Sequence, residues 1–218
     1  MVQKNSATPV RGRPRSFDTD QVLDRVRDTF WRYGYAGTSM DQLSAATGLH
    51  KPSLYGAFGD KKKLYLAALD NYLADIRAEF AEAFAIPDLF DSLAALTEWS
   101  IDKFMGKDEI GTGCFMMHTA MPEAGEDAEI SRVIRESMDS LDRALVRRFE
   151  KAIEAGQISP GADPRSLAMV MVANHYEISG RARAGYTRAE LRALADRALA
   201  LVRVMSGAPG AAGTSADS

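Results

Sequence analysis

Residues 38–58 read TSMDQLSAATGLHKPSLYGAF, and the second half of that stretch carries side chains suited to meeting a polyanion. If it is helical, its outward positions are His50, Lys51, Ser53, Tyr55, Gly56 and Ala57. That face is short, polar and partly basic, as a helix entering a DNA major groove requires. Upstream, Arg11, Arg13 and Arg15 lie in a polar, proline-containing stretch without periodicity. Three guanidiniums on such an arm suit backbone phosphates or a narrow minor groove. Downstream, Lys61, Lys62 and Lys63 open the next helix, where cations oppose the helix dipole unless an anion sits nearby. Met1–Tyr65 holds eleven Lys/Arg against six Asp/Glu, a net +5, while the remainder has sixteen against twenty-four, a net −8. A basic head on an acidic body is expected when one end alone meets nucleic acid. The competing account is a solvated basic face on a structural unit.

A second cluster, GTGCFMMHTAMPEA, brings Cys114, Phe115, Met116, Met117, His118 and Met121 together. With ten methionines in the chain, it suits an adaptable apolar cavity for a small molecule. Trp99, Phe104, His175 and Tyr176 are candidates to line the same space, with plain core packing the alternative for each. Cys114 follows Gly111-Thr112-Gly113 at an expected helix start, where free N–H groups favour thiolate. An oxidant or electrophile sensor and an inert buried thiol are both open. Cys114 and His118, four apart, are too few ligands for a metal site, so no metal or cofactor is expected.

The single cysteine excludes an intramolecular disulfide framework and points to a cytoplasmic protein. No run of eighteen apolar residues is present, and Met1–Val10 lacks the apolar block of a secretory signal. Catalysis finds no support either. The three histidines, His50, His118 and His175, are scattered, and no glycine-rich phosphate loop follows a strand. A helical interaction module without DNA binding is the remaining alternative.

Helical periodicity covers nearly everything between an arm at 1–15 and a small, polar tail at 207–218, predicted to be disordered. The first helix starts at Asp18 or Thr19, buries Val22, Val26, Phe30 and Tyr33, and stops at a left-handed Gly34. A short helix capped by Thr38 or Ser39 turns Met40, Leu43 and Ala46 inward and ends at Gly48. Helices over about 51–58, 61–84, 88–105, 114–121, 128–155, from 163 and from 187 complete an all-α chain of about nine helices. The predicted domains are a helix-turn-helix unit at 16–60 and a larger helical unit at 61–206, the latter binding an effector and a second copy. The apolar faces of the last two helices, with Leu167, Val170, Val172 and Tyr176 on one and Leu191, Leu194, Leu201 and Met205 on the other, fit a subunit interface, although an internal core would also explain them.

GRPRSF followed by GYAGTSMDQLSAATGLHKPSLYGAFGDKKKLYLAAL resembles the N-terminal domain of TetR-family regulators over about 13–72. The resemblance implies a three-helix DNA-binding domain joined through a fourth helix to a helical ligand-binding and dimerisation domain. It also implies that Thr38 and Ser39 contact backbone phosphate, that Lys51, Ser53 and Tyr55 lie on the recognition helix, and that Lys61 binds phosphate. Gly56 and Ala57 depart from the family pattern, where larger side chains often stand. The reading is a dimeric repressor on a palindromic double-stranded operator, released when a small molecule binds between the fourth and eighth helices and swings the fourth.

Overall fold

A computed structural model describes residues 17–106 and 111–208. The arginines at 11, 13 and 15 and tail residues 209–218 lie outside the described residues. Among the described residues there are eight α-helices and no strand. They are α1 (Thr19–Gly37), α2 (Met40–Thr47), α3 (Lys51–Phe58), α4 (Lys61–Phe84), α5 (Leu89–Met105), α6 (Ala128–Glu154), α7 (Pro164–Arg183) and α8 (Arg188–Met205). The short helix expected at 114–121 is instead a π-helical turn, Met116–Ala120, running into a 3-10 turn, Met121–Glu123.

Most helix starts follow from side chains that satisfy the free N–H groups of the first turn. Asp18, Asp60, Asp88, Asp127 and Asp163 each accept from backbone N–H groups two or three residues on. Ser39 with Gln42, and Thr187 with Glu190, form reciprocal capping boxes. Pro164 occupies the first turn of α7, where its missing N–H costs nothing.

Helices α1, α2 and α3 pack as a small unit on the N-terminal half of α4. The remainder of α4 passes into a bundle with α5, α6, α7 and α8. The five α4 positions expected to face inward, Tyr65, Leu69, Tyr72, Ile76 and Phe80, are all buried. They join α1 to the bundle through a run of rings. Phe30 meets Tyr65 edge-on at 5.0 Å, and Trp31 meets Tyr72 at 5.5 Å.

The end of α1 differs from expectation. Gly34 does break the helix (φ 72°, ψ 169°), but a further turn follows it to Gly37. Tyr33, just before the break, is half exposed, and Tyr35, just after it, instead stacks on Phe30 at 6.0 Å. In α2 the buried partner of Leu43 is Thr47, whereas Ala46 is exposed.

Candidate nucleic-acid interface and effector cavity

The turn between α2 and α3 is built locally. Gly48 takes the left-handed conformation (φ 72°, ψ 7°) and returns its N–H to Ser44 O. Ser44 Oγ donates to Leu49 O at 2.7 Å, and Leu49 N donates to Thr47 Oγ1 at 3.3 Å. From the α1 side, Arg25 Nη1 donates to Thr47 O at 3.3 Å. Leu54 is fully buried and anchors α3, so the opposite face points to solvent.

On that outer face His50, Ser53 and Tyr55 are exposed. His50 precedes α3 at its N-cap position, but its side chain makes no capping bond, which leaves the ring available. Lys51 reaches back to Asp41, Nζ to Oδ1 2.6 Å, a surface pair that a phosphate would compete with. Ser39 is exposed at the start of α2. Thr38 corrects the expectation of a phosphate contact. It is 2% exposed, and its hydroxyl donates to Gly34 O at 2.6 Å, so it supports the α1–α2 junction from inside.

The three lysines that open α4 separate in space. Lys61 Nζ sits 4.5 Å from the centre of the Tyr35 ring, the residue that the Gly34 break turns inward. Lys62 pairs with Asp127 and Glu129 at 2.7 and 3.1 Å, tying α4 to the first turn of α6. Lys63 is exposed.

In the bundle, a cavity of about 550 Å³ lies between α4, α6 and α7, within the size range of small-molecule sites. Ile76, Phe80 and Phe84 line its α4 wall, with Ser137, Ser140 and Ala144 on α6 opposite. Of the residues expected to line it, Cys114, Met116, His175 and Tyr176 do. Trp99 and Phe104 stand behind His175, with ring centres at 6.5 and 5.0 Å from its imidazole. Phe115 is fully buried among Trp31, Tyr65 and Tyr72. Met117, His118 and Met121 do not reach the cavity lining. The α6 wall was missed, although small residues at 137, 140 and 144 share one helical face and mark where a helix leaves space.

Two family models match the chain. Bacterial regulatory proteins of the tetR family match residues 22–68, and the tetracyclin repressor-like C-terminal domain matches residues 90–197. The chain belongs to the TetR family. Among its relatives, the HTH-type transcriptional repressor ComR of Escherichia coli (strain K12) is 29% identical over 192 residues, 88% of this chain and 91% of ComR. The HTH-type regulator YezE of Bacillus subtilis (strain 168) is 27% identical over 77% of this chain and 86% of its own length. A cysteine-substituted form of the TetR-family regulator CifR, solved with 26-bp double-strand operator DNA, superimposes with a TM-score of 0.79 at 28% identity, covering 86% of this chain and 98% of CifR. These relatives are transcription regulators. No helix among the described residues is long and apolar enough to cross a membrane.

In this TetR-family chain, Cys114 does not have the environment expected of a thiolate. It is 3% exposed, and burial pushes its thiol pKa up; Met116 and Met117 backbone bonds and the Tyr72 hydroxyl offset this only in part. Tyr72 Oη donates to its sulfur at 3.5 Å. Its own N–H donates to Ser179 Oγ at 2.8 Å, and His118 Nε2 stands 3.3 Å from the same oxygen. Gly113 (φ 67°) is required here, because a Cβ would lie 2.2 Å from His118 Nε2. Among the described residues no group of three or more His, Cys, Asp or Glu could hold a metal ion.

Proposed function

We propose that this chain works as a homodimeric repressor that holds a palindromic operator through two copies of α3 and releases it when a small molecule enters the α4–α6–α7 cavity. The observation that carries the reading is α3 itself. It is anchored by buried Leu54 and presents His50, Ser53 and Tyr55 to solvent in the family's recognition position. Lys51 lies on that face too, Ser39 and Lys61 flank it as phosphate contacts, and the arginines at 11, 13 and 15 extend it on the sequence reading. Support for the repressor role comes from ComR, which carries that name, and from CifR, which was solved on operator DNA.

One recognition helix covers too little DNA for tight binding, so two must dock at once, roughly 34–36 Å apart. The second copy has a surface to use. Met169 on α7 and Leu201, Val204 and Met205 on α8 are exposed at 65%, 50%, 80% and 41% in the single chain. Leu167 and Leu191, by contrast, are buried in the chain's own core. The effector acts by moving α4, which forms one cavity wall and carries Lys61 at its other end. Because both heads must fit together, a small displacement of α4 suffices to lower affinity. The work is binding rather than catalysis, and it is done where the chromosome is, in the cytoplasm.

Operator titrations at several salt concentrations test this reading. A dimer neutralising several phosphates loses affinity on a log–log slope of about −0.9 per phosphate. A flat response, or binding to a duplex carrying one half-site as tight as to the palindrome, refutes it.

A further inference from the structure

The cavity differs from its surroundings in charge. Arg77, Arg147, Arg148 and Lys151 line it, Arg77 with Asp70 at 3.9 Å, and among the described residues no Asp or Glu lines it, in a chain whose acidic residues outnumber its basic ones. Arg148 is the informative member. It is 6% exposed, yet its Nε and Nη2 donate only to neutral oxygens: Ser92 Oγ at 3.3 Å, Ile86 O at 3.1 Å and Pro87 O at 3.0 Å. Among the described residues no carboxylate lies within ion-pair distance of it, and its Nη1 has no hydrogen-bond partner. Desolvation disfavours the guanidinium, and the Asp88 carboxylate offsets this only by its field, without touching it. Lys151 is served by the C-terminus of α6, but that explanation does not reach a buried side chain in the middle of the wall.

The deep end of the cavity is defined by His175. Ser100 Oγ donates its one hydrogen to Leu96 O at 2.8 Å, so at 2.9 Å it accepts from His175 Nδ1–H. Burial disfavours the charged ring, so the imidazole is neutral with an unprotonated Nε2, which has no hydrogen-bond partner among the described residues. His175 is 7% exposed, and that exposure is to the cavity. Between the two ends the walls are aromatic and aliphatic: Phe80, Phe84, Ile76 and Leu141.

Resting on the effector reading above, we propose that the ligand of this cavity is an apolar monoanion, an aryl or alkyl carboxylate or an acid of similar shape, with its acid group on the α6 cations and its apolar body toward His175. A carboxylate supplies the directly bonded counter-charge that Arg148 lacks, and a guanidinium binds it in paired, charge-assisted hydrogen bonds. The apolar body fills the aromatic walls. A cationic ligand would meet four like charges and is rejected.

Matched probes test it by calorimetry and melting on the full chain: 2-naphthylacetate, 2-naphthaleneethanol and 2-naphthaleneethylamine, with decanoate, decanol and decylamine as a second set. The expected result is that the carboxylates bind, the alcohols bind about ten-fold or more weaker, and the amines do not bind. Arg148 also holds the carbonyls of Ile86 and Pro87, so the variants are placed at exposed Arg147 and Lys151. Arg147→Gln with Lys151→Gln should weaken the carboxylates about ten-fold and leave the alcohols unchanged. Ala144→Trp, which fills the cavity, should abolish both. If alcohols bind as tightly as carboxylates and Ala144→Trp removes them, the anion assignment falls and the cavity reading stands. If the carboxylates bind and Ala144→Trp does not disturb them, or if no carboxylate binds, the assignment falls as well.

Discussion

Lys62 Nζ lies 2.7 Å from Asp127 Oδ2, so the first turn of α4 is joined to the residue that caps α6. The pair raises the lysine pKa and lowers that of the carboxyl, chiefly through their mutual hydrogen bond. Its contribution is therefore present between the ordinary carboxylate and lysine ranges; it is lost as pH falls through the folded Asp127 value or rises through the folded Lys62 value. Both groups meet solvent, so the pair is a register between two cavity walls more than a source of stability. Lys62→Met should leave melting nearly unchanged and reduce the shift in operator affinity that a bound effector produces. An undiminished shift would show that α6 does not steer the start of α4.

Thr38 and Tyr55 should separate support from contact. Thr38→Val removes the hydroxyl bonded to Gly34 O and should cost about 1 kcal/mol of stability. Tyr55 is 49% exposed, so Tyr55→Ala should change stability by less than about 0.5 kcal/mol. It should nonetheless weaken operator binding about ten-fold. Melting curves and gel-shift titrations of the two variants check both halves. Normal operator affinity in Tyr55→Ala would remove α3 from the interface.

The exposed apolar edge of α8 predicts its own result. Leu201→Glu combined with Val204→Glu places two charges where a second copy should bury apolar surface. Sedimentation should show monomer at concentrations where the unaltered chain is dimeric, with the helical content of the subunit retained. A dimer that persists would place the interface elsewhere.

His175 makes stability depend on pH. Burial lowers its imidazole pKa from 6.5 to about 4, so the folded chain keeps the ring neutral where the unfolded chain takes up a proton. Stability is complete above pH 6.5, falls as pH drops toward about 4 and levels off below it, a loss of about 3 kcal/mol in full. His175→Gln keeps a neutral polar group beside Ser100 and should flatten that part of the profile relative to the unaltered chain. Parallel profiles for the two proteins would mean that the ring is protonated in the fold.

Short-range features could be read directly along the chain. The caps at Asp18, Ser39, Asp88, Asp163 and Thr187 bond to N–H groups within three residues, and the buried stripe of α4 repeats every three or four. Such interactions depend on neighbours the sequence places side by side, which is why the helix order and the exposed face of α3 were legible. The charge excess of the N-terminal third is likewise additive and needs no fold to be counted.

Other features depend on which distant helix a side chain meets. Periodicity up to Gly34 put Tyr33 inside, but it is the residue beyond that break, Tyr35, that turns in beneath Lys61. Thr38 looked like a contact, but it is buried and its hydroxyl turns back to Gly34 O. The α6 wall of the cavity, the Lys62 link to Asp127 and the unpaired Arg148 arise only where helices far apart in sequence come within a few ångströms. A pattern along one helix shows that a face is buried; its partner, and any space left between them, is set by packing across the whole bundle.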